Sequence, residues 1–270
     1  MTSAQTPQLR RPMDVGQIID GAIRLYRLNF GEFLAMAAVA LPFVALVFVV
    51  DAAISPHVAT TAAPLLFIPL FGVLVVTQAA MARAVADVAD GNRPEFNSVY
   101  ARVFQRLRTL LASGYRLLVG VMVLFITVIG IPFGIYLAVR WVFFSQVIMT
   151  ESESTLQAID LQHLPISGPN WKRTGPLAAY ERGFSSQASA ISARLVEGVW
   201  WRTFGGLLIV NVVAGIPALA VQLAFFAASP IGAALASAVV AVIVFPFTAT
   251  AYTLLFFDLQ SRERERVSIA

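Results

Sequence analysis

Long stretches without charged side chains constrain this sequence more than any other feature. Beyond Glu32, four such stretches occur, at 33–50, 64–81, 117–139 and 203–257. A bilayer core of about 30 Å needs about 20 apolar residues per helix. The last stretch therefore accommodates two helices divided near Pro230, and the apolar region 117–150 accommodates two short helices divided near Pro132. Together these stretches predict an all-α polytopic membrane protein with six transmembrane helices.

Composition supports this class and excludes several others. Hydrophobic residues make up 58% of the chain and charged residues 13%, whereas a soluble domain has about 25% charged residues. The sequence contains no cysteine, so it has neither a disulfide framework nor a cysteine metal site. The net charge of +4 indicates basic loops that face anionic lipid, and we expect no nucleic-acid partner. Because a long polar segment precedes the first apolar stretch, we expect no cleaved signal peptide.

The positions of the basic residues predict the orientation. With six spans, every lysine and arginine among the 19 basic residues except Arg140 falls on one side of the membrane. These residues lie before the first span, between spans two and three, between spans four and five, and in the C-terminal tail. Short loops rich in lysine and arginine stay in the cytoplasm. Both termini are therefore predicted to be cytoplasmic.

An internal repeat is the second organising pattern. Aromatic–arginine pairs open the odd-numbered spans: Tyr26 with Arg27, Tyr115 with Arg116, and Trp201 with Arg202. A proline follows each aromatic after 16, 17 and 16 residues, and an amphipathic stretch precedes each pair. These observations predict three hairpin-like units of a single membrane domain, 14–258. The predicted boundaries are 1–13 for a flexible N-terminus, about 14–90, 92–151 and 175–258 for the units, 151–174 for a cytoplasmic insertion, and 259–270 for a charged tail.

The three amphipathic stretches are predicted to be interfacial helices with two possible roles. Asp14 with Gln17, and Asn92 with Glu95, have the spacing of capping boxes at the starts of the first two. A helix with one apolar and one basic face can lie along anionic headgroups. The alternative is that the helices pack beneath the bundle as a cytoplasmic collar. The aromatic and arginine residues of the three pairs are the predicted interfacial anchors.

Arg140 is the one basic residue predicted to lie within a span, and three interpretations of it remain open. A central arginine costs about 2.5–3.5 kcal/mol on insertion scales, but its long side chain can snorkel to the outer surface. It can instead pair with Asp51, which ends the first span on the same side. The third interpretation is a phosphate or anion site, because a planar guanidinium binds phosphate bidentately. Trp141 is then either a flank of the bound headgroup or a residue of the aromatic belt.

Catalytic and metal-binding patterns are not found. His57 and His163 fall on opposite sides of the predicted bilayer, so they cannot share a metal ion. We therefore predict no catalytic residue, no metal site, no cofactor and no enzymatic activity. The acidic residues near span ends are predicted to be solvated or snorkelling charges: Glu32, Asp51, Asp87 and Asp258.

Several segments resemble a known family. They are DVGQIIDGAIRLYRLNFGEFL, GIPFGIYLAVRWVF, GPLAAYERGF and LVEGVWWRTFGGLL. Over roughly residues 12–257 the chain is similar to the glycerophosphoryl diester phosphodiesterase membrane domain family of bacterial integral membrane proteins. The resemblance implies a multi-pass domain in the bacterial inner membrane, fused in some relatives to a phosphodiesterase that this sequence is expected to lack. The sequence departs from that pattern at 185–192, an apparent insertion, and at 151–174, which precedes it. These departures predict a partner-binding surface within 151–200.

Two functional hypotheses follow. The first is a non-enzymatic integral membrane protein that interacts with anionic lipids, or that scaffolds or modulates a membrane partner. The alternative is a transporter or lipid translocase that uses proline-broken helices and Arg140 as an anion site.

Overall fold

The computed structural model describes residues 9–53, 56–128, 130–151, 180, 183–184, 186–225 and 230–269, and most of these residues are helical, with no strand among them. The helices are α1 (Val15–Leu28), α2 (Phe30–Ala38), α3 (Leu41–Ala53), α4 (Pro56–Ala89), α5 (Phe96–Gln105), α6 (Leu107–Phe125), α7 (Gly130–Trp141), α8 (Phe144–Thr150), α9 (Gln187–Val196), α10 (Trp200–Phe225) and α11 (Pro230–Ile269). The all-α prediction is confirmed. Most of the predicted insertion, 152–174, lies outside the described residues.

Within the described ranges, five helical segments are long and apolar enough to cross a membrane. They are Leu66–Ala89, Leu107–Phe125, Gly130–Thr150, Trp200–Val221 and Gly232–Arg266. The pair α2 and α3 passes the same test when taken together and is bent by 50° at its break. The chain is thus a multi-pass helical membrane protein by helix length and composition. The third predicted span begins earlier than expected, because α6 already starts at Leu107 rather than near 117.

Three segments form the centre of the bundle: α4, the broken pair α7–α8, and the part of α11 between Phe247 and Leu259. Nearly every side chain of α8 is buried, and α4 packs against both α8 and α11. The ring of Phe143, between α7 and α8, lies 6.0 Å from that of Phe256 on α11. The helices α2–α3, α6 and α10 surround this centre, and apolar side chains on α10 such as Val212 are exposed. Exposed apolar surface of this kind suits contact with lipid chains.

Each helix from an amphipathic stretch packs on a span helix from another part of the chain. Helix α1 lies along α11, α5 along α4, and α9 along both α7 and α8. The buried face of α1 consists of Ile18, Ala22 and Leu25. Because these faces meet protein, the stabilisation of the three helices includes ordinary apolar burial, at about 25 cal/mol per Å².

The two predicted capping boxes have different outcomes. At the start of α1, the backbone N–H of Asp14 donates to Gln17 Oε1 at 3.2 Å, which confirms the first box. The second prediction is wrong, because α5 begins at Phe96 with Glu95 as its N-cap and no capping side chain. In place of that box, Arg106 at the junction of α5 and α6 donates to two carbonyls at the end of α8, one of them Glu151 O at 2.9 Å.

Candidate functional site

A tight turn between α9 and α10 brings the start of α10 against α7. Helix α9 ends at Val196, and Gly198 in the turn has φ of +77°. This left-handed conformation is favourable for glycine and unfavourable for residues with a Cβ atom. The turn is closed by a bond from the Val199 N–H to Val196 O at 3.1 Å. Helix α10 then starts at Trp200 without a long connecting loop.

A pocket of about 730 Å³ lies between the middle of α7 and this turn. Its lining residues are Pro132, Tyr136, Arg140, Val196, Glu197, Gly198, Val199, Trp200, Trp201 and Arg202. The volume falls in the range of about 300–1,000 Å³ that is typical of ligand sites. Its charged lining residues are Arg140, Arg202 and Glu197, so the lining carries more positive than negative charge.

Arg140 is only 7% exposed, yet it lines this pocket. Its Nη1 donates to Tyr136 Oη at 2.9 Å, and its Cζ lies 5.4 Å from the centre of the Tyr136 ring. The interpretation in which Arg140 snorkels to the outer surface is wrong, because a snorkelling side chain would be exposed. The predicted pairing with Asp51 cannot be assessed, since that side chain lies outside the described residues.

At the helix break just after Arg140, a side chain of α9 bonds to the backbone groups. Ser192 Oγ donates to Arg140 O at 2.6 Å and accepts from the Phe143 N–H at 3.2 Å. A break in an apolar span leaves backbone groups that must find partners inside the protein. Ser192 provides a donor for the Arg140 carbonyl and an acceptor for the Phe143 N–H, and it thereby fixes the position of the Arg140 backbone beside the pocket.

Aromatic rings line the pocket beside Arg140. The rings of Tyr136 and Trp200 stack with centroids 5.8 Å apart, and Trp200 stacks on Phe204 at 5.1 Å. Trp200 Nε1 donates to Tyr136 O at 3.2 Å, which joins α10 to α7. Trp201 is 78% exposed at the edge of the pocket. The aromatic side of the pocket therefore continues from a partly buried stack to a ring that reaches the surface.

Arg202 connects the pocket to a closed ion-pair cluster around Asp258. Its Nη2 donates to Asp258 Oδ2 at 3.2 Å and to Met13 O at 2.6 Å. Asp258 is 0% exposed and also accepts from Arg262 Nε at 2.8 Å and from the Met13 N–H at 2.7 Å. This cluster ties the segment before α1 to both α10 and α11. Arg202, predicted to be an interfacial anchor, is thus also a structural ion-pair partner.

A second buried carboxylate, Asp87, has a similar environment on α4. Arg83 Nη2 donates to Asp87 Oδ1 at 2.5 Å, and Arg102 Nη1 from α5 donates to the same oxygen at 3.0 Å. The prediction that Asp87 and Asp258 are solvated end charges is therefore wrong. The sequence did contain a local signal, because both carboxylates have an arginine four residues away on the same helix face.

Trp141 does not join the site in which it was predicted. Its side chain is 2% exposed and packs in a cluster with Leu117, Leu137 and Ala193. Its indole nitrogen is buried and has no hydrogen-bond partner in the part of the chain that the structure describes. Trp141 is therefore neither a belt residue nor part of the pocket, and Trp200 and Trp201 supply the indole rings beside Arg140.

The tyrosines of the first two aromatic–arginine pairs bond to helix backbone. Tyr26 Oη donates to Ile243 O on α11 at 2.8 Å, and Tyr115 Oη donates to Ile68 O on α4 at 2.6 Å. Gly72 permits the second approach, since a Cβ atom there would lie 2.6 Å from the Tyr115 hydroxyl. Arg27 and Arg116, the partners of these tyrosines in sequence, are exposed.

Part of the predicted partner-binding segment is occupied inside the protein. Helix α9 buries seven of its residues against α7 and α8: Ala188, Ser189, Ala190, Ser192, Ala193, Leu195 and Val196. Most of the remainder of that segment, residues 152–179, lies outside the described residues. In the described ranges, no three His, Asp or Glu side chains are grouped as metal ligands.

Comparisons with protein families, curated proteins and solved structures give no match for this chain. The resemblance to the glycerophosphoryl diester phosphodiesterase membrane domain family therefore stays a prediction.

Proposed function

We propose that this chain is a non-enzymatic integral membrane protein of the bacterial inner membrane that binds the headgroup of an anionic phospholipid. The observation that carries the proposal is the pocket between α7 and α10, which is lined by Arg140 and Arg202 together with Trp200 and Trp201. Guanidinium groups bind phosphate with paired hydrogen bonds. The indole rings favour the boundary between headgroups and chains.

The first turn of α10 adds to the attraction for an anion. Trp200 to Arg202 line the pocket, and the first bond within the helix is donated by Thr203 to Val199 O at 3.0 Å. The N–H groups of a first helical turn have no partner within the helix, and the helix dipole places partial positive charge there. Glu197 opposes this charge in part, so the pocket suits a singly charged headgroup.

The surface beside the pocket suits the chains of the same lipid. Along α10, apolar side chains are exposed beyond the mouth: Leu208, Ile209, Val212, Ile216 and Leu219. Phe133 and Ile135 on α7 are exposed as well. A lipid whose phosphate occupies the pocket would therefore have apolar protein surface along its chains.

Lipid retention tests the proposal. We would purify the protein in mild detergent, titrate it with phosphatidylglycerol or phosphatidylcholine, and count bound lipids by native mass spectrometry. Arg140→Gln should lose one phosphatidylglycerol, or bind it at least tenfold more weakly, with phosphatidylcholine binding unchanged. Arg264→Gln on the exposed end of α11 makes the same charge change at a residue that does not line the pocket, and it is the control.

A second variant covers the case in which Arg140→Gln does not fold. Trp201 is exposed, so Trp201→Ala should keep the fold and weaken phosphatidylglycerol binding several-fold. If both variants fold and retain the lipid count and the preference of the parent protein, the pocket is not a lipid site.

We further propose six spans in three units, with α2 and α3 forming one bent span. Three hydrogen bonds support the three units. In each bond the donor belongs to an aromatic–arginine pair or is the residue next to it, and the acceptor lies on the returning helix of the preceding unit. They are Tyr26 to Ile243 O, Tyr115 to Ile68 O, and Trp200 to Tyr136 O. The first unit bonds to the third in the same way, so the three units are linked in a cycle. The donor of the third unit is Trp200 and not Trp201 of the aromatic–arginine pair, which is the one departure from the pattern.

The proposed orientation has both termini in the cytoplasm. Because the chain has no cysteine, single cysteines can be introduced without a background. Ala59→Cys should react with an impermeant maleimide from outside intact cells, and Ser268→Cys should react after lysis alone. Reaction at both positions from outside would contradict an even number of spans.

Lipid translocation is the second candidate function. Its support is the set of breaks in the spans together with buried polar atoms that have no partner within the described ranges: Gln78 Nε2 on α4, Gln146 Nε2 on α8 and Thr250 Oγ1 on α11. Reconstituted protein should then accelerate the movement of a fluorescent phosphatidylglycerol between leaflets, and Arg140→Gln should abolish the acceleration. A lipid-binding protein without transport activity gives no acceleration above empty vesicles.

A scaffolding role through a membrane protein partner remains a proposal for residues 152–179. The proposal is limited to these residues because seven residues of α9 are buried within the protein. Deletion of 152–174 should remove a partner that copurifies with the full chain and leave the thermal stability of the bundle unchanged. Loss of stability in this variant would instead indicate that the segment packs on the bundle.

A further inference from the structure

An amide side chain lies on the exposed surface of α10, at the middle of its span. Asn211 is exposed, and it is the twelfth of the 22 residues of Trp200–Val221. At 1.5 Å per residue it lies about 16 Å from the start of that span, in a hydrocarbon core about 30 Å thick. Exposed side chains next to it on the helix are apolar, among them Val212 and Ile216. Water is absent at this depth, and lipid headgroups lie at the two surfaces.

The hydrogen bonds of this amide join α10 to α11. Asn211 Nδ2 donates to Leu207 O at 2.8 Å and to Tyr252 Oη at 2.6 Å. The two bonds use both hydrogens of the amide nitrogen, so Asn211 Oδ1 remains an acceptor and the Tyr252 hydroxyl hydrogen remains a donor. Within the described ranges neither group has a further partner. Unpaired polar groups are unfavourable in hydrocarbon, so this pair favours a polar complement from a second protein surface.

One donor and one acceptor side by side are self-complementary. In a contact with twofold symmetry, a residue that touches a second residue in the partner is matched by the reverse contact. The Tyr252 hydroxyl of one copy would then donate to Asn211 Oδ1 of the other, and symmetry would supply the second bond. A lipid chain carries no hydrogen-bonding group and cannot replace this partner. A twofold axis along the membrane normal also keeps both copies in the same orientation.

The helix surface next to Asn211 permits the close approach of a second helix. Gly215 and Ala218 follow Asn211 at i+4 and i+7, the spacing of one helix face. Gly215 is exposed, and a Cβ atom added there would meet no atom of the described chain within 4 Å. Small residues at helix contacts let the backbones of two spans approach, and polar side chains then bond between them. This part of α10 therefore combines an open surface with a polar pair.

We infer that the surface formed by Asn211, Gly215 and Ala218 on α10 and Tyr252 on α11 is the contact of a homodimer in the membrane. Two symmetry-related hydrogen bonds from Tyr252 Oη to Asn211 Oδ1 of the partner specify it. The contact is separate from the α7–α10 pocket, because none of these residues lines that pocket. Dimer formation and lipid binding can therefore be tested independently.

Förster transfer between labelled copies tests the dimer. Chains carrying Ser268→Cys, labelled with a donor or an acceptor dye, would be mixed in phosphatidylcholine vesicles and diluted with lipid. Asn211→Leu should raise the dissociation constant about tenfold, because it removes both bonds between the copies. Tyr252→Phe removes the same two bonds and should have an effect of similar size. The double variant should therefore be no weaker than either single variant.

Steric variants test the same surface without removing a polar group. Gly215→Leu should weaken the dimer at least tenfold by separating the two helices. Gly205→Leu is the matched control, because a Cβ atom at Gly205 also meets no described atom within 4 Å, and this position lies about 80° around the helix from Gly215. It should leave the dissociation constant unchanged within twofold. Both variants should fold, since both positions are open.

Cross-linking in membranes locates the contact. The chain has no cysteine, so Gly215→Cys should give a disulfide-linked dimer on oxidation with copper phenanthroline. Ile216→Cys, which points in a different direction, should not. Arg140→Gln should leave the dimer unchanged, so failure of the lipid site does not affect this result. A parent chain that stays monomeric at every lipid dilution, or a Gly215→Cys chain that links to a different protein and not to itself, would overturn the inference.

Discussion

Two buried charges in this bundle, Asp258 and Arg140, differ in what surrounds them. Asp258 is 0% exposed and accepts bonds from Arg202, Arg262 and the Met13 N–H. Arg140 is nearly as buried, but its side chain contacts the Tyr136 ring and hydroxyl and borders a pocket of about 730 Å³. Asp258 is enclosed by protein donors, whereas Arg140, besides its contacts within the protein, borders a space that can admit a ligand.

The difference distinguishes charges that stabilise the fold from charges that can bind a ligand. A buried ion removed from its partners destabilises a protein strongly, because its desolvation is no longer offset. A buried ion beside a pocket can change partners when an anion enters. We therefore expect the carboxylate clusters to act on stability and the Arg140 pocket to act mainly on lipid binding. Arg202 belongs to both, so its substitution cannot distinguish them.

Asp258→Asn should give the largest loss of stability. The substitution keeps the shape and removes the charge that faces two arginines, and breaking a buried pair costs about 3–5 kcal/mol. We expect that loss in the free energy of unfolding measured by SDS titration in mixed micelles. The N-terminal segment should also become more accessible, since Met13 is held there through its N–H and its carbonyl.

The control for Asp258→Asn lies on the same end of the bundle. Asp90 pairs with Arg10 at 2.9 Å, and the two side chains are 46% and 38% exposed. Asp90→Asn removes the same charge from a solvated pair. Equal destabilisation by the two substitutions would show that enclosure of Asp258 contributes nothing beyond an ordinary surface pair.

Asp87→Asn should have a smaller effect of the same kind. Both carboxylates face two partly exposed arginines, but Asp258 also accepts from the Met13 N–H, and Asp87 has no such backbone donor in the described ranges. Loss of hydrogen bonds to a charged group costs about 1.5–3 kcal/mol. We expect a destabilisation in this range by SDS titration and a loosening of α5 from α4. A loss as large as that of Asp258→Asn would mean that the additional Met13 bond of Asp258 does not matter.

Alkaline pH offers a test of burial next to this cluster. Tyr100 on α5 donates to Met36 O at 2.8 Å, and burial raises the pKa of Tyr100 to about 12. The unfolded chain loses this proton near pH 10, before the folded protein does, so stability falls as the pH rises from about 10 to 12. At pH 11 the loss is about 1 kcal/mol, at 1.36 kcal/mol per pKa unit.

Tyr100→Phe is the control for that pH dependence. The variant should lose about 1 kcal/mol at neutral pH with the hydrogen bond and should be less sensitive than the parent between pH 9 and 11. If the slopes of stability against pH are the same in parent and variant, Tyr100 is not the group responsible.

Sequence patterns could predict much of the fold, because apolar helix length is a local property. The apolar stretches and the Asp14–Gln17 capping box both appear in the structure at or near the expected positions. The start of α6 was placed too late because Arg108 and Arg116 interrupt the apolar stretch. A helix can continue through exposed arginines whose side chains reach polar surroundings.

The candidate site was less accessible to prediction, because it depends on contacts between distant segments. Arg140 was identified as unusual from its position in an apolar stretch, but its neighbours Trp200 and Arg202 come from another helix. Trp141 was chosen for adjacency in sequence, and adjacent residues of a helix point in different directions. The Asp258 cluster combines Met13 with a residue 245 positions away, and no periodicity reports such a pairing.

Arg10→Ala should have the smallest effect and completes the comparison of enclosed and solvated charges. Arg10 pairs with exposed Asp90, and its Cζ lies 5.1 Å from the centre of the Phe257 ring. Exposed pairs contribute about 0–1 kcal/mol, and an exposed cation–π contact about 0.5–1 kcal/mol. We expect a destabilisation below about 1.5 kcal/mol in the SDS titration. Met13, three residues further on, should stay protected from labelling as Met13→Cys, because the Asp258 cluster holds it independently of Arg10. Rapid labelling of that cysteine in the Arg10→Ala background alone would show that the exposed pair, and not the enclosed carboxylate, fixes the N-terminal segment.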